Sequence, residues 1–404
     1  TGVRPSQLHN NNLLSAFEFA QKIQEFTEKW APAIWTGYNS IAFDEAMLRQ
    51  MFYQNLQPNI FATQFHNNTR LDVMKMVFAV HAEEPHILKW PINAKGKVNF
   101  KLDQLAPENG FRAHNAHDAL GDVEATIFIV DKIKKQCPDL YQKLFDARDK
   151  ERNLQLLKSF TPVEVTLRFG GSSPKTYTGC YCGLSKNSKN MVGFFDLEKP
   201  DPMELIHGTQ QDVLDAMTKS PQRIRSLRLN QAETIRPASI SNPEWRHTCD
   251  VIKDDTAFQT VVSECLADKY PQTEDTDSVV EEKIFDGFYS NHDKTLLEQF
   301  QISSWQERLT LLNDAQDNRI QQLGHRLIAF NAMHLLDPKY IARAQEFIVE
   351  KWAASETEAN WNTIASVQRQ LLELEEDGFD NILLDEMKTF YQDRIEAQGC
   401  SFDF

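Results

Sequence analysis

The amino-acid sequence predicts an α/β chain that passes through a β-rich middle and ends in helices alone. Three observations carry this reading. Residues 1–156 alternate helical spacing with a few apolar runs. Residues 161–230 hold short runs rich in β-branched and aromatic residues, bounded by Gly, Ser, Asn and Pro. Beyond residue 283 helical spacing continues with few strand signals. At 404 residues the chain is also too long for one ordinary core, so two or three domains are expected.

Taken in order, Leu14, Phe17, Ala20, Ile23 and Phe26 recur every three residues and predict an amphipathic helix within 13–30. Residues 33–39 (AIWTGYN) read as a buried strand ending in turn residues. Helices are expected at about 43–56, with Phe43, Met47, Phe52 and Tyr53 among its apolar residues, and at 71–80. Pro85, Pro91, Gly96 and Lys97 mark an irregular loop, followed by helices at about 101–108 and 118–135 and a helical connection at about 138–159. Strands then follow at 161–170, 176–184 and 191–197, with a helix at 210–218 and a strand at 223–230. In that last strand Arg223 and Arg225 share parity with Leu227 and Leu229, which breaks alternation and points to a bulge or a misplaced strand. Residues 271–283 (PQTEDTDSVVEEK) read as an acidic linker or exposed loop. Segments 303–315, 318–335, 339–353, 361–376 and 381–397 complete a helical array, and no fixed-period repeat is present.

Composition narrows the class. With 41% hydrophobic and 25% charged residues the chain reads as soluble and globular. No apolar run approaches the roughly 20 residues needed to cross a bilayer, and TGVRPSQLHN lacks a charged-then-apolar signal, so a cytoplasmic protein is expected. Six scattered cysteines suit reduced thiols rather than a disulfide frame, and Cys180-Tyr-Cys182 lacks the spacing and second pair of a zinc site. The net charge of −15 is unevenly spread: residues 1–156 carry 18 basic against 18 acidic groups, 157–249 carry 12 against 9, and 250–404 carry 13 against 31. The first two parts therefore have room for a basic groove that binds a polyanion.

The segment His114-Asn115-Ala116-His117-Asp118-Ala119-Leu120-Gly121-Asp122 is the most informative for chemistry. An Asp at a helix start, one turn after a loop histidine, can bind a divalent metal while the imidazole faces the same cavity. A metal makes water acidic, and a nearby histidine can take its proton before attack on phosphorus. By spacing alone the same residues read more readily as a helix cap (Asp118), a surface histidine and a solvated carboxylate. Asp44, in the first helical turn after the strand ending at Gly37-Tyr38-Asn39, could aim a second carboxylate at the same place, or simply be a helix-start charge.

These segments, GYNSIAFDEAMLRQMFYQN (37–55) and NFKLDQLAPENGFRAHNAHDALGDVEATI (99–127), resemble the second and third motifs of the DEDDh 3′→5′ exonuclease superfamily. With NNTRLDVMKM (67–76), PDLYQKLFDARDK (138–150) and KIFDGFYSNHDK (283–294), the chain resembles the bacterial exonuclease I family, in order and over essentially its whole length.

The resemblance implies a ribonuclease H-like exonuclease domain at 1–150, an SH3-like β-rich domain at 157–277 and an all-α C-terminal domain at 279–404. It implies Mg²⁺-dependent, or Mn²⁺-dependent, hydrolysis of single-stranded DNA to 5′-mononucleotides in DNA repair, with Asp44 and Asp122 as metal carboxylates and His117 as general base. Arg49, Arg70 and Lys101 would lie along the DNA path, and Phe65, Trp90 and Phe100 are candidates for base stacking or for core. The acidic C-terminal tail of single-stranded DNA-binding protein is an implied partner, with Arg246 as a contact, and a monomer is expected.

One departure matters. The superfamily uses four acidic residues, the first two in an Asp-x-Glu motif on the first strand. Here Thr1-Gly2-Val3-Arg4-Pro5 resembles the turn after that strand, so the chain reads as an N-terminally truncated fragment, expected to be nearly inactive. Phe194-Phe195-Asp196-Leu197-Glu198 has the look of the motif but lies in the β-rich part. Two other readings stand beside the enzyme: a non-catalytic single-stranded DNA- or protein-binding module, which an upstream Asp-x-Glu would exclude, and a related DEDDh RNase, against which the long extensions speak.

Overall fold

A computed structural model describes residues 4, 7, 12–112, 119–199, 202–269, 279–357, 359 and 361–397. Along the chain these form α1 (Ala16–Trp30), β1 (Ile34–Gly37), α2 (Asp44–Gln54), β2 (Thr69–Asp72), α3 (Val73–Glu83), α4 (Leu102–Glu108), α5 (Ala119–Gln136), α6 (Pro138–Asp146) and α7 (Lys150–Lys158). The β-rich stretch follows as β3 (Val163–Leu167), β4 (Lys175–Leu184), β5 (Met191–Asp196), α8 (Pro202–Ile206), α9 (Gln210–Thr218), β6 (Ile224–Arg228) and β7 (Arg236–Pro237), then α10 (Pro243–Asp254) and α11 (Thr256–Lys269). The last part is helical: α12 (Asn291–Ile302), α13 (Trp305–Leu311), α14 (Asn318–Asn331), α15 (Pro338–Ala353), α16 (Ile364–Glu376) and α17 (Asn381–Ala397). The mixed α/β fold with a helical C-terminal part is as the sequence predicts.

The chain divides into two compact units. One comprises Trp30–Leu48 and Phe61–Asp275. In it β1 and β2 pair in parallel, Ile34 opposite Thr69 through Gly37 opposite Asp72, and α3 to α6 enclose a core of Val73, Val77, Val80, Leu105, Ile129, Ile133 and Leu144. β2 escapes a sequence reading because Thr-Arg-Leu-Asp alternates like no buried strand, yet Arg70, Leu71 and Asp72 are all buried. The helical connection expected at about 138–159 is two helices, the second capped by Asp149, which accepts N–H bonds from Glu151 and Arg152.

In the same unit five antiparallel strands run in the order β6-β5-β4-β3-β7. Both faces of this sheet are covered. Val163, Val165, Tyr181, Val192, Phe194 and Leu227 share one core with Leu157 of α7, while Cys180, Cys182 and Phe195 share another with α9, α10 and α11. The free thiols of Cys180, Cys182, Cys249 and Cys265 are buried in that second core. The β5–β6 register is continuous, so β6 has no bulge there. Arg225 instead keeps its inward parity as a buried ion, its Nη1 2.9 Å from the Asp196 carboxylate and its guanidinium stacked on Tyr177. Asp196, in the Asp-x-Glu look-alike, is 1% exposed and held by that pair. α10 and α11 are additions that the sequence reading did not anticipate.

The other unit comprises Thr1–Lys29, Arg49–Ile60 and Thr276–Phe404. Phe17, Tyr53, Leu56, Leu296, Leu297, Phe300, Leu312, Ile320, Leu323 and Ile328 form its core. The buried stripe of α1 is Phe17, Ala20, Gln24 and Thr27, a 3.6-residue period, whereas the three-residue run expected from the sequence drifts to the edge of that face at Ile23 and Phe26, which are half-buried, and its first member, Leu14, precedes the helix. Arg308 packs its guanidinium on Phe17 and Trp305 and donates to the Phe300 carbonyl at 2.7 Å.

Candidate active site

Asp44 opens α2, exposed in its first turn, at the end of a tight loop that leaves β1. The loop is shaped by its own backbone. Asn39 adopts a left-handed φ of 61°, a Cβ on Gly37 would fall 2.8 Å from Ser40 Cβ, and Glu45 N–H donates to the Ser40 carbonyl at 2.8 Å. Tyr38 fastens the strand end by donating its hydroxyl to the Phe100 carbonyl at 2.5 Å, and burial pushes its phenol well above the usual range.

Two buried side chains hold the loop from β2. The Asp72 carboxylate accepts N–H bonds from Asn39 (2.9 Å), Ile41 (3.4 Å) and, as the cap of α3, Met74 (3.0 Å). Burial raises its pKa, while the amides and Lys75 pull the other way. Arg70, expected along the DNA path, is turned inward. Its Nη1 lies 2.8 Å from Glu45 Oε2, its Nη2 donates to the Asn230 carbonyl, and the residue is 9% exposed. Glu45 also accepts from Thr63 Oγ1 at 3.2 Å. The Arg70 guanidinium thus braces the first turn of α2 from within the fold.

Asp122 lies in the first turn of α5, half-buried. His117, with His114 and Asp118, lies outside the described residues. Lys101 is exposed immediately before α4, and Arg246 is exposed on α10. Arg49 is half-buried in α2, in the unit that does not hold Asp44. Of the aromatic candidates, Phe100 is core, Trp90 packs against it and donates its indole N–H to the Pro85 carbonyl, and Phe65 is 52% exposed. Leu120, Val123 and Ile127 form an apolar stripe on α5 that is 55–65% exposed.

Two carboxylates at accessible helix starts supply the hard oxygen donors that Mg²⁺ takes, and this ion commonly uses one or two protein carboxylates beside waters and substrate phosphates. The donor chemistry of Asp44 and Asp122 therefore fits a divalent ion. Among the described residues no three His, Cys, Asp or Glu side chains gather as a metal site would require. The sequence reading missed Asp72 and Glu45. Asp72 had a signal, an Asp directly before an apolar helical run. Glu45 had none, because only the fold shows which of two adjacent acids turns inward.

Comparison with known proteins shows what a chain with this fold and these helix-start carboxylates is similar to. The family model for the exonuclease I C-terminal domain matches residues 278–394. Exodeoxyribonuclease I of Buchnera aphidicola (Schizaphis graminum) is 26% identical over 83% of this chain and 72% of its own length. That of Haemophilus influenzae is 26% identical over 99% and 87%. Escherichia coli exonuclease I in complex with a dA16 oligonucleotide superposes with a TM-score of 0.78 at 21% identity, over 98% of this chain and 87% of that one. SSB/exonuclease I in complex with the inhibitor CFAM gives 0.75 at 20% identity, over 97% and 86%. The chain is thus similar to bacterial exodeoxyribonuclease I over most of its length, and its residues 278–394 match the exonuclease I C-terminal domain.

Proposed function

We propose that this chain carries part of the machinery for Mg²⁺-dependent 3′→5′ hydrolysis of single-stranded DNA to 5′-mononucleotides, with Mn²⁺ as a substitute. The observation that carries the reading is the placement of Asp44, exposed, and Asp122, half-buried, each in the first turn of a helix, in a chain that matches exodeoxyribonuclease I in order. A divalent ion bound by these carboxylates would supply positive charge near the scissile phosphate and the attacking water. Asp44 and Asp122 hold the ion and orient it. His117 accepts the proton of the attacking water, and Lys101 and Arg49 contact backbone phosphates. Arg70 is left out of that set, because its guanidinium is engaged within the fold.

The E. coli relative is seen with a dA16 oligonucleotide, which supports a single strand as the ligand here. An SSB/exonuclease I structure supports single-stranded DNA-binding protein as a partner, with Arg246 meeting its acidic tail. We place the activity in the cytoplasm and in a monomer of three domains, 1–150, 157–277 and 279–404.

The 404-residue chain should itself hydrolyse little, because two carboxylates are asked to hold ions that the superfamily holds with four. The test follows mononucleotide release from the 3′ end of a single strand with Mg²⁺, Mn²⁺ or a chelator. Binding of the strand with little release is expected; robust release would show that an Asp-x-Glu pair is dispensable. In a form that also carries that pair and is active, His117→Ala should slow hydrolysis about 10²-fold or more. An unchanged rate would remove His117 from the base role.

A further inference from the structure

We infer that Asp72 is a positioning residue for Asp44, acting through the backbone of the loop between β1 and α2; this rests on the reading of Asp44 as a metal carboxylate. Asp72 is 3% exposed and ends β2 directly opposite Gly37, the last residue of β1. Its carboxylate serves two places, Oδ1 accepting from both Met74 N–H and Asn39 N–H while Oδ2 accepts from Ile41 N–H. Capping α3 needs only the bond from Met74 N–H, at 3.0 Å. The bonds from Asn39 N–H at 2.9 Å and Ile41 N–H at 3.4 Å cap nothing, and they reach back 33 and 31 residues to the loop that delivers Asp44.

The loop turns tightly: Asn39 sits in the left-handed region, and Gly37 leaves room for Ser40 where a Cβ would fall 2.8 Å from its Cβ. From Asn39 and Ser40 the constraint passes into α2 by two backbone bonds, Phe43 N–H to the Asn39 carbonyl (3.2 Å) and Glu45 N–H to the Ser40 carbonyl (2.8 Å). Asp44 lies between those two donors. A carboxylate that fixes Asn39 and Ile41 thus fixes where the first turn of α2 begins, and with it the direction of the Asp44 side chain. Two hydrogen bonds to an ionised acceptor are strong enough for that task, charge-assisted bonds being roughly twice as strong as neutral ones.

The test uses Mn²⁺ alone, added to the full chain and followed by electron paramagnetic resonance and by broadening of amide signals near Asp44. Asp72→Ser retains a side chain that caps α3 but is too short to serve the loop, so a capping role and a positioning role separate. We expect Asp72→Ser to melt close to the wild-type temperature, to exchange the Asn39 and Ile41 amides faster, and to bind Mn²⁺ at least tenfold more weakly. Mn²⁺ affinity within twofold of wild type would overturn the inference. If the serine variant does not fold, Asp72→Asn, which keeps the shape and removes the charge, is read by the same measure. Asp44→Asn is the control for the underlying reading: if it leaves Mn²⁺ binding unchanged, Asp44 is not a ligand, and that failure is distinct from a normal Asp72→Ser.

Discussion

Arg70 offers a direct choice between a nucleic-acid contact and an internal brace. Arg70→Met would leave Glu45 ionised and buried, with side chains that are 10% and 7% exposed in the intact pair. Removing one partner of such a pair costs about 3–5 kcal/mol. Thr63 Oγ1 still donates to Glu45 and offsets about 1 kcal/mol of that. The expected loss is therefore about 2–4 kcal/mol, read as a lower urea midpoint. Replacing both partners, Glu45→Leu with Arg70→Met, removes the buried carboxylate as well and should recover part of the loss. Titration of a single strand at several salt concentrations supplies the second readout. A phosphate contact contributes about 0.7 to the slope of log affinity against log salt, so the double variant should keep the wild-type slope. An Arg70→Met protein of unchanged stability, whose slope falls by about 0.7, would refute the brace and return Arg70 to the DNA path.

Three further outcomes follow from the packing. Arg225→Met strands Asp196 at 1% exposure inside the five-stranded sheet and should cost about 3–5 kcal/mol by chemical denaturation; a loss under 1 kcal/mol would mean that the pair contributes little. Gly179→Ala drives a Cβ to 2.3 Å from the Phe195 carbonyl oxygen and 2.5 Å from the Phe194 ring, so β4 and β5 must separate; a melting temperature equal to wild type would show that the strands yield without strain. At Glu281, burial raises the carboxyl pKa, but hydrogen bonds from Arg326 (2.5 Å) and Lys351 (2.9 Å) outweigh it and bring it down to about 2. A depressed carboxyl gives stability that is fully present above its unfolded value near 4.5 and lost as pH falls toward 2. Glu281→Gln should flatten the acid limb of the stability profile over that window, and an unaltered limb would discount the cluster.

How far the sequence could be read depends on whether a role is local. α9 was legible because its cap and period lie within one short run, Thr209 to Thr218, and Asp44 was legible because a strand, a turn and a helix start follow one another there. β2 was not, since its burial comes from pairing with a strand 35 residues earlier, and Thr-Arg-Leu-Asp looks polar until that partner is known. The same rule separates the site residues. Arg70 beside an exonuclease motif reads as a phosphate contact because the sequence carries the charge but not the direction of Glu45, which turns the guanidinium inward. Arg225 and Asp196 misled together: one broke the alternation of β6, the other imitated a metal motif, and each is explained by the other across adjacent strands, in a register where Phe194 faces Arg225. A charged residue at an inward position is thus a question about a partner, and only contacts between distant segments answer it. Asp72 is the case where that answer bears on chemistry, because its three backbone donors come from both sides of the β1–β2 pair and two of them lie in the loop that carries Asp44.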